Sequence, residues 1–537
     1  MTIKVIAEIG INHKGSETRV KKIIDIANES KAWGIKFQYR GIKNFYATKN
    51  EIGDEILSNE IERSNLEFSN IIKFTKYAKK LSLRVGISFF RTEDLVKKKK
   101  FFKYFDFLKI PSAEFENDDL INLAKKSNKD VFISTGGNNE NKILDKIKKL
   151  NKKKFVVFHC ISNYPTITGF QQLSFLNKLN KIKNLRIGYS SHDKDWEINL
   201  IAMSLGINFI ERHLTINKSE NGLDESSSSE KKDFKKICYF ANNYKNILGK
   251  GKRIANQGEI INMQNLGTSF YAKKNLIKNS KISLKDIELK APRLGLTKLD
   301  LKKFKSLKIL NTVKKNQPLL ISTFKSSKFK FTEKKIKFLV KNKISIPFRL
   351  HDSEMIHKLF PCKYNEWHLS FGEILKFNNK FFNPEEIIYK DREYTLHLPD
   401  YIKNNKLIDP ISDNKLIRNE SIRVIKTTIN LSNKISDITK KNVKIVGSFS
   451  RIHKNKIKTL DRVFNFLESF SGDNYKLLPQ WLPKIAWYFG GAEKQNLFCD
   501  TEDIDYILKN NKRICLDVSH LILSANYENI NWRNWYN

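Results

Sequence analysis

The sequence predicts an α/β protein whose first 250 residues form a (β/α)₈ barrel. Short apolar runs alternate with helix-length amphipathic segments, and this alternation is typical of βα units around a parallel sheet. Eight such runs occur before residue 214, the number that closes a barrel. Each run ends in a polar residue, and barrel enzymes carry their catalytic groups at the carboxyl ends of the strands. The pattern therefore predicts an active site at the barrel mouth.

The predicted strands follow one another along the chain, each with its polar end. In chain order they are Ala7-Glu8, Ile35–Gln38, Gly86–Ser88, Leu108–Ser112, Phe132–Ser134, Val157–His159, Gly188–Ser190 and Glu211–His213. Apolar residues at three- and four-residue spacing predict amphipathic helices between them. Examples are Arg19–Lys31, Phe68–Leu81 and Lys142–Leu150.

Composition limits the function only loosely. A chain of 537 residues has room for two or three domains. Its formal charge of +42 is compatible with a nucleic-acid or membrane partner. The excess is mostly Lys, spread over the whole length and accompanied by much Asn, Ile and Phe, which AT-rich coding sequence alone produces. We therefore expect neither partner, and nucleic-acid binding remains the alternative from a different class.

The cysteines and the amino terminus predict a cytoplasmic protein. The five cysteines show neither paired spacing nor a CxxC motif, which is typical of reduced thiols. The first strand begins almost at Met1, which leaves no room for a signal peptide, and no apolar stretch is long enough to span a membrane. The cysteines are Cys160, Cys238, Cys362, Cys499 and Cys515.

Seven short blocks resemble, in the same order, the signature blocks of the N-acetylneuraminate (sialic acid) synthase family. The resemblance covers about residues 1–250 and continues less strictly to about residue 325. It implies a transferase that condenses phosphoenolpyruvate with an N-acetylated hexosamine, either N-acetylmannosamine or a diacetylated analogue, to give a sialic-acid-like 2-keto sugar acid and phosphate. A related synthase acting on an aldose phosphate is the enzymatic alternative. The blocks are Ala7–Gly15, Lys36–Gln38, Lys109–Ser112, Ile133–Gly136, His159–Thr166, Ile187–His192 and Ile210–Thr215.

Two histidines are predicted to hold a divalent metal. His192 and His213 end the last two strands, which are neighbours in a closed barrel, and both match the family's metal-binding positions. A divalent ion can polarise an aldehyde oxygen, and imidazole suits Mn²⁺ or Co²⁺ better than Mg²⁺. We expect Mn²⁺ or Co²⁺, with Mg²⁺ as the alternative. Ser191 stands where the family commonly has Asp, which predicts weaker orientation of the adjacent histidine.

The resemblance also assigns the remaining residues of the barrel mouth. It implies that Glu8 orients water or moves a proton, as general acid–base groups do. Lys36 and Gln38 match residues near both substrates, and Tyr164 and Asp224 match residues that contact the sugar. Phosphoenolpyruvate is expected to lie in a cradle of one ammonium and five hydroxyls. These groups belong to Lys109, Ser88, Ser112, Ser134, Ser162 and Ser190.

Residues 251–322 resemble the antifreeze-protein-like (SAF) domain appended to these synthases. In that family the domain covers the active site of the partner subunit, so the resemblance implies a domain-exchanged homodimer. The family usually has Arg before the proline of this domain, where this chain has Ala291 before Pro292. Arg293 could take over the contact with the acetyl group of the acceptor, or belong to an ordinary loop, or the acceptor could be recognised differently.

Residues 331–537 predict a second parallel sheet after a Ser/Lys-rich linker, Ser322–Lys330. Three short motifs, at 396–400, 487–491 and 515–520, resemble xylose-isomerase-like sugar phosphate isomerase/epimerase barrels. About six strands are expected, so this barrel would be incomplete. Asp517 and His520 are its candidate metal ligands, although Gln480 stands where a carboxylate is expected. Isomerase activity, a binding or scaffolding role and a remnant are all left open. The predicted strands are Ile346–His351, Trp367–Ser370, Tyr394–Leu398, Val443–Gly447, Leu477–Leu478 and Ile514–Asp517.

Overall fold

The computed structural model divides into two compact units, Met1–Arg253 and Ile254–Asn537. Within the residues that it describes, no helix combines the length and the apolarity needed to cross a bilayer. Cys362 and the parts of the predicted linker and motifs that fall in the gaps lie outside the described residues. The described residues are 3–41, 54–220, 222–249, 251–304, 306–325, 332–350, 353, 356–357, 363–377, 384–453, 455–488 and 491–536.

The first unit is a closed barrel of eight parallel strands in chain order, which confirms the predicted fold class. β1 pairs with both β2 and β8, so that Glu8 lies beside Lys36 on one side and His213 on the other. Closure thus brings residues from opposite ends of the unit together. The strands are β1 Lys4–Glu8, β2 Gly34–Tyr39, β3 Arg84–Phe89, β4 Phe107–Ile110, β5 Asp130–Ser134, β6 Phe155–Cys160, β7 Arg186–Ser191 and β8 Phe209–His213.

The helices around the barrel bury one apolar stripe each. In α1, Val20, Ile23 and Ala27 are fully buried at helical spacing, and the side chain of Ser16 caps the first turn by accepting from the Arg19 amide. The segments predicted from periodicity therefore form helices with ends shifted by one or two residues. The helices are α1 Glu17–Glu29, α2 Asp54–Arg63, α3 Phe68–Lys80, α4 Thr92–Lys98, α5 Asp118–Lys125, α6 Glu140–Lys149, α7 Phe175–Asn180, α8 Ile198–Ser204 and α9 Lys231–Leu248.

Stacked aromatic rings fill the barrel interior. The Phe132 ring centroid lies 4.4 Å from that of Phe107, 5.3 Å from that of Phe158 and 4.9 Å from that of Phe209. All four side chains are almost fully buried. They form a cluster separate from the larger core. Phe107 and Phe132 belong to β4 and β5, the same strands that carry Lys109 and Ser134 at or near their carboxyl ends.

The second unit contains two hydrophobic clusters. One lies in residues 270–319, around an antiparallel pair of strands, and the other in residues 348–507, around an open sheet of five parallel strands. The predicted division at residue 331 stays a prediction. The strands are β9 Ser269–Ala272 and β10 Ile287–Lys290, the sheet strands β11 Ile346–Phe348, β12 Tyr364–His368, β13 Glu393–His397, β16 Val443–Gly447 and β17 Tyr475–Pro479, and the antiparallel pairs β14 Tyr401–Ile402 with β15 Lys406–Leu407 and β18 Ile485–Tyr488 with β19 Gly491–Lys494.

Two predictions for the second unit are wrong. Ile514–Asp517 is not a strand, because only Cys515 bridges to Gln480 and Asp517 instead caps the next helix through its side chain. The linker prediction fails at its start, where Ile321–Phe324 is a short helix. The helices are Gln257–Leu266, Lys298–Leu301, Ile321–Phe324, Glu333–Lys341, Phe371–Phe377, Lys415–Thr439, Lys456–Phe470, Thr501–Lys509, Val518–Glu528 and Arg533–Tyr536.

The aromatic cluster predicts a large effect of one truncation. Phe132→Ala should lower the free energy of unfolding of the first unit by about 3–5 kcal/mol, because it leaves a cavity among three rings. Urea unfolding read by hydrogen–deuterium exchange of first-unit peptides measures the change. Phe170→Ala is the control, since Phe170 is 55% exposed and should change stability by less than about 0.5 kcal/mol. Equal effects of the two substitutions would contradict the packing role.

Candidate active site

A cavity of about 640 Å³ opens at the carboxyl ends of the barrel strands. Most of the residues predicted for the site line it, although they come from seven of the eight strands, β2 to β8, or from the segments that follow them. Glu8 and Asp224 are the exceptions, because both lie behind the wall. The predicted residues in the wall are Lys36, Gln38, Ser88, Lys109, Ser112, Ser134, Ser162, Tyr164, Ser190, His192 and His213.

A buried carboxylate joins two lysines at the floor of the cavity. Glu211 Oε1 lies 3.1 Å from Lys36 Nζ, and both of its oxygens lie 3.1 Å from Lys109 Nζ. Ser190 Oγ also donates to Glu211, at 3.1 Å. Burial alone would raise the pKa of Glu211, but the two ammoniums hold it well below its ordinary value. Burial lowers the pKa of Lys36 to about 8, an effect that Lys109 reinforces and Glu211 opposes.

Glu8 is a second buried carboxylate that pairs with the Lys36 ammonium. Its Oε2 forms an ion pair with Lys36 Nζ, and its Oε1 accepts from the Gly10 amide at 2.8 Å and from Gln38 Nε2 at 3.4 Å. The side chain is fully buried. Glu8 therefore orients two residues of the cavity wall, and the general acid–base role implied for it stays a prediction.

His192 and His213 face each other across the mouth, with ring centroids 5.4 Å apart. His192 Nδ1 lies 2.8 Å from the carbonyl oxygen of Ile161, and His213 Nδ1 lies 3.2 Å from Asp224 Oδ2. Such contacts of one ring nitrogen are typical of histidines that bind a metal through the other nitrogen. Asp224 therefore orients His213, and the sugar contact implied for it stays a prediction.

Gly10 keeps the space beneath His213. Its φ of +52° lies in the left-handed region, and a Cβ there would lie 2.8 Å from Asp224 Oδ2 and 3.0 Å from His213 Nδ1. Any larger residue would push the carboxylate and the imidazole apart.

A buried guanidinium ties the last two strands together beneath the histidines. Arg212 Nη1 donates to Ser191 Oγ at 3.0 Å and to the carbonyl oxygen of Asp193 at 2.7 Å, and Nε donates to Ser229 Oγ at 2.9 Å. Asp193 Oδ2 accepts from Ser191 at 2.6 Å and from Tyr189 at 2.7 Å. Ser191 is therefore held by Arg212 on one side and by the Asp193 carboxylate on the other.

The serine hydroxyls form a polar arc on one side of the cavity. Ser88, Ser134 and Ser190 are at most 3% exposed. Ser112 Oγ accepts from the Gly136 amide at 3.1 Å. A Cβ on Gly136 would lie 2.0 Å from Ser162 Oγ, so a glycine is required for these two serines to approach each other. Ser190 and Lys109 both donate to Glu211, and the phosphate cradle that includes them stays a prediction.

Tyr164 and Cys160 flank His192. The Tyr164 ring centroid lies 4.1 Å from that of His192, and the side chain is 47% exposed at the rim. Cys160 is buried, with Sγ 3.7 Å from His192 Nδ1. Burial raises the pKa of this thiol, but the neighbouring imidazole outweighs that effect and lowers it to about 7.

Sequence reasoning missed Glu211 and Arg40. Glu211 stands in the run Glu211–His213, and its position two residues before a predicted ligand on the inward face of the strand could have identified it. Arg40 lines the cavity, with its guanidinium carbon 3.9 Å from the Phe90 ring centroid and Nη2 3.4 Å from Gln38 Oε1. It adds a cation beside the floor of the cavity.

Among the described residues, one other cluster offers three metal-ligating side chains, namely Cys499, Asp500 and Asp503. Lys456 Nζ lies 2.5 Å from Asp500 and 3.2 Å from Asp503, and Lys484 Nζ lies 2.7 Å from Asp500. Two ammoniums already neutralise the carboxylates, so this cluster is an ion-pair network rather than a metal centre.

Arg293 lies in the second unit, where its amide donates to the carbonyl oxygen of Gln264 at 2.7 Å. The preceding residue is fixed by Tyr271, whose hydroxyl donates to the carbonyl oxygen of Pro292 at 2.7 Å. The predicted contact of Arg293 with an acceptor involves the other unit and stays a prediction.

A closed (β/α)₈ barrel with a buried charge cluster at its mouth defines the first unit as a barrel enzyme. A sequence profile of the NeuB family matches residues 23–253. N,N'-diacetyllegionaminic acid synthase of Campylobacter jejuni is 29% identical over 318 residues, which cover 56% of this chain and 93% of that protein. An uncharacterized protein of Methanocaldococcus jannaschii is 30% identical over 304 residues, covering 54% of this chain and 86% of that protein.

A third relative is N-acetylneuraminate-9-phosphate synthase of Drosophila melanogaster, 28% identical over 259 residues, which cover 45% of this chain and 68% of that protein. The chain belongs to the NeuB family. The family predicted from the seven sequence blocks is therefore confirmed.

The charge cluster predicts a strong effect of one substitution at the cavity floor. Glu211→Gln should lower the free energy of unfolding of the first unit by about 3–5 kcal/mol, because it leaves two buried ammoniums without their shared carboxylate. The same exchange-detected urea unfolding measures it. Glu116→Gln is the control, since this carboxylate also lines the cavity but pairs with Lys142 in solvent. Unchanged stability of Glu211→Gln would rule out the ion pairs.

Proposed function

We propose that the first unit condenses phosphoenolpyruvate with an N-acetylated hexosamine and water to give a nonulosonic acid and phosphate. In this reaction C3 of phosphoenolpyruvate bonds to the aldehyde carbon, water adds at C2, and phosphate leaves from C2. The observation that carries the proposal is the grouping of two lysines, five serines and two histidines around one cavity. The names of two relatives in the same family agree with this reaction class.

Phosphoenolpyruvate is assigned to the side of Lys36, Lys109 and the serine arc. Ammonium and hydroxyl donors in fixed positions suit a phosphate and a carboxylate. Glu8 and Glu211 balance the two lysines, so these four groups carry no net charge. A divalent cation would then supply the net positive charge that attracts the trianionic substrate.

The two histidines fit a divalent metal. Their Nδ1 atoms are engaged by Ile161 and Asp224, which leaves the Nε2 atoms as ligands, and two protein ligands leave positions for substrate and water. A metal bound there would polarise the aldehyde oxygen of the acceptor. Imidazole donors favour Mn²⁺ or Co²⁺ over Mg²⁺.

Glu8 is assigned to proton transfer through Lys36, whose ammonium it contacts, and to the orientation of Gln38, whose amide donates to it. Asp224 is assigned to the orientation of His213. Tyr164 is assigned to the sugar contact, and its position at the rim beside both histidines supports this assignment. Glu211 is assigned to holding the two lysine ammoniums apart at the floor.

The acceptor is an N-acetylated hexosamine, and its second substituent is open because the relatives reported above are named for different products. Arg293 is the candidate for the acetyl contact, supplied by the second unit of a partner subunit. A cytoplasmic, domain-exchanged homodimer with residues 251–322 as a SAF lid remains part of the proposal.

Phosphate release tests the proposed reaction. The full-length protein with Mn²⁺ and phosphoenolpyruvate should release phosphate only when N-acetylmannosamine or a diacetylated hexosamine is added, and Lys109→Ala should reduce the rate at least about 100-fold because it removes the cradle's ammonium. Release with erythrose 4-phosphate or arabinose 5-phosphate instead would favour the aldose-phosphate alternative. No release with any acceptor, together with salt-dependent retention on heparin, would favour nucleic-acid binding.

Removal of the metal should abolish the catalytic activity of the protein. EDTA, His192→Ala and His213→Ala should each abolish phosphate release, and Mn²⁺ or Co²⁺ should restore only the EDTA-treated wild type, because the variants lack a ligand. Calorimetric titration with Mn²⁺ should show a site that both variants lose. His520→Ala, in the second unit, is the control and should keep both activity and this site. Full activity of either barrel variant in EDTA would refute the metal assignment.

A further inference from the structure

A second cavity, of about 490 Å³, lies within the second unit at the carboxyl ends of β11, β12 and β13. His368 and His397 are the last residues of two of these strands, and Arg349 follows the third. Lys403 and Trp487 complete this part of the wall. Ligands of parallel sheets commonly bind at this edge, and the volume suits a small molecule.

The metal predicted for this region does not fit, because an amide occupies the centre of its donor set. Gln480 Oε1 lies 2.5 Å from His397 Nε2. Gln480 Nε2 lies 3.2 Å from Asp517 Oδ2 and 3.2 Å from His520 Nδ1. The three side chains that would bind a cation are therefore already engaged by a neutral group.

Both ring nitrogens of His397 face oxygen atoms. Nδ1 lies 2.7 Å from the carbonyl oxygen of Leu398, and Nε2 faces the amide oxygen of Gln480. Asp517 fixes the orientation of that amide, because turning it over would bring its oxygen against the carboxylate. His397 is therefore held in place by two oxygen atoms, one from the backbone and one from the Gln480 side chain.

The cavity wall has an excess of positive charge. Arg349 and Lys403 are exposed in it, and Arg349 Nη1 donates to the carbonyl oxygen of His368 at 2.8 Å. Among the described lining residues, Asp400 is the only carboxylate. His368 Nε2 lies 2.5 Å from Glu366 Oε1. The two cations, Arg349 and Lys403, exceed the single carboxylate of the wall, which favours an anionic ligand.

The other lining groups suit a sugar. Trp487 offers an indole face of the kind that packs against the apolar face of a pyranose ring. Ser370, Asn404 and Asn405 add hydroxyl and amide groups that can pair with sugar hydroxyls.

We propose that this cavity is a second, metal-independent binding site for an anionic sugar. The negative charge of such a ligand comes from one of two groups. These are a carboxylate, as in a sialic-type sugar acid, and a phosphate, as in a hexosamine phosphate. The site lies wholly within the second unit, so its existence does not depend on condensation in the first.

Calorimetric titration of the full-length protein in EDTA tests the site. N-acetylneuraminate and N-acetylmannosamine 6-phosphate represent the two sources of charge, and neutral N-acetylmannosamine is the comparison. At least one anionic sugar should bind once per chain, about tenfold or more tighter than the neutral sugar, and added Mn²⁺ should not change its affinity.

Variants then locate the bound sugar. The double variant Arg349→Ala/Lys403→Ala should weaken binding about tenfold or more, because it removes two charge-assisted contacts. Lys406→Ala, an exposed lysine on the same antiparallel pair but outside the cavity wall, should leave it unchanged. Trp487→Ala should weaken binding and Trp487→Phe should retain most of it. All of these substitutions should leave phosphate release by the first unit unaltered.

Three results would overturn the proposal. These are the absence of binding by both anionic sugars at millimolar concentration, binding that requires a divalent ion, and binding that Lys109→Ala abolishes while the double variant keeps it. The last result would place the sugar in the first barrel.

Discussion

The barrel mouth depends on the contact of one buried carboxylate with two buried ammoniums. Glu211, Lys36 and Lys109 are each at most 5% exposed, so each charge has lost its water and needs a protein partner. Coulomb attraction in this low-dielectric setting holds the two lysines at fixed positions on different strands. A phosphate that enters the cavity therefore meets donors that are already placed and need little reorganisation.

Closure of the barrel puts the other groups around that contact. Because β1 pairs with β2 on one side and with β8 on the other, Glu8 lies beside both Lys36 and His213, and His213 is within reach of Asp224. Arg212, buried between the last two strands, fixes the segments that carry both histidines. The aromatic cluster in the barrel interior is close-packed, and it supports the charged site rigidly.

In the second unit, polar residues likewise lie at the carboxyl ends of parallel strands, but they form a different set of contacts. Its parallel strands also end in histidines and a glutamine, but the amide of Gln480 takes the central position and links His397 to Asp517 and His520. A neutral amide satisfies these side chains by hydrogen bonds alone. The neighbouring cavity keeps its positive charge and its indole wall, which is why binding chemistry, rather than metal chemistry, follows from its geometry.

The sequence by itself determined the eight strands and most of the cavity wall, because strand length, alternation and polar ends are local properties. Tertiary structure decided which partner each charge meets. Lys109 and Glu211 are 102 residues apart in the chain, and only barrel closure makes them a pair. The same holds for Glu8 and Asp224, which lie behind the wall, and for Asp517, which caps a helix where the sequence predicted a strand end. A local pattern places a polar residue at the end of a strand, whereas its electrostatic partner comes from distant strands and is fixed only by packing.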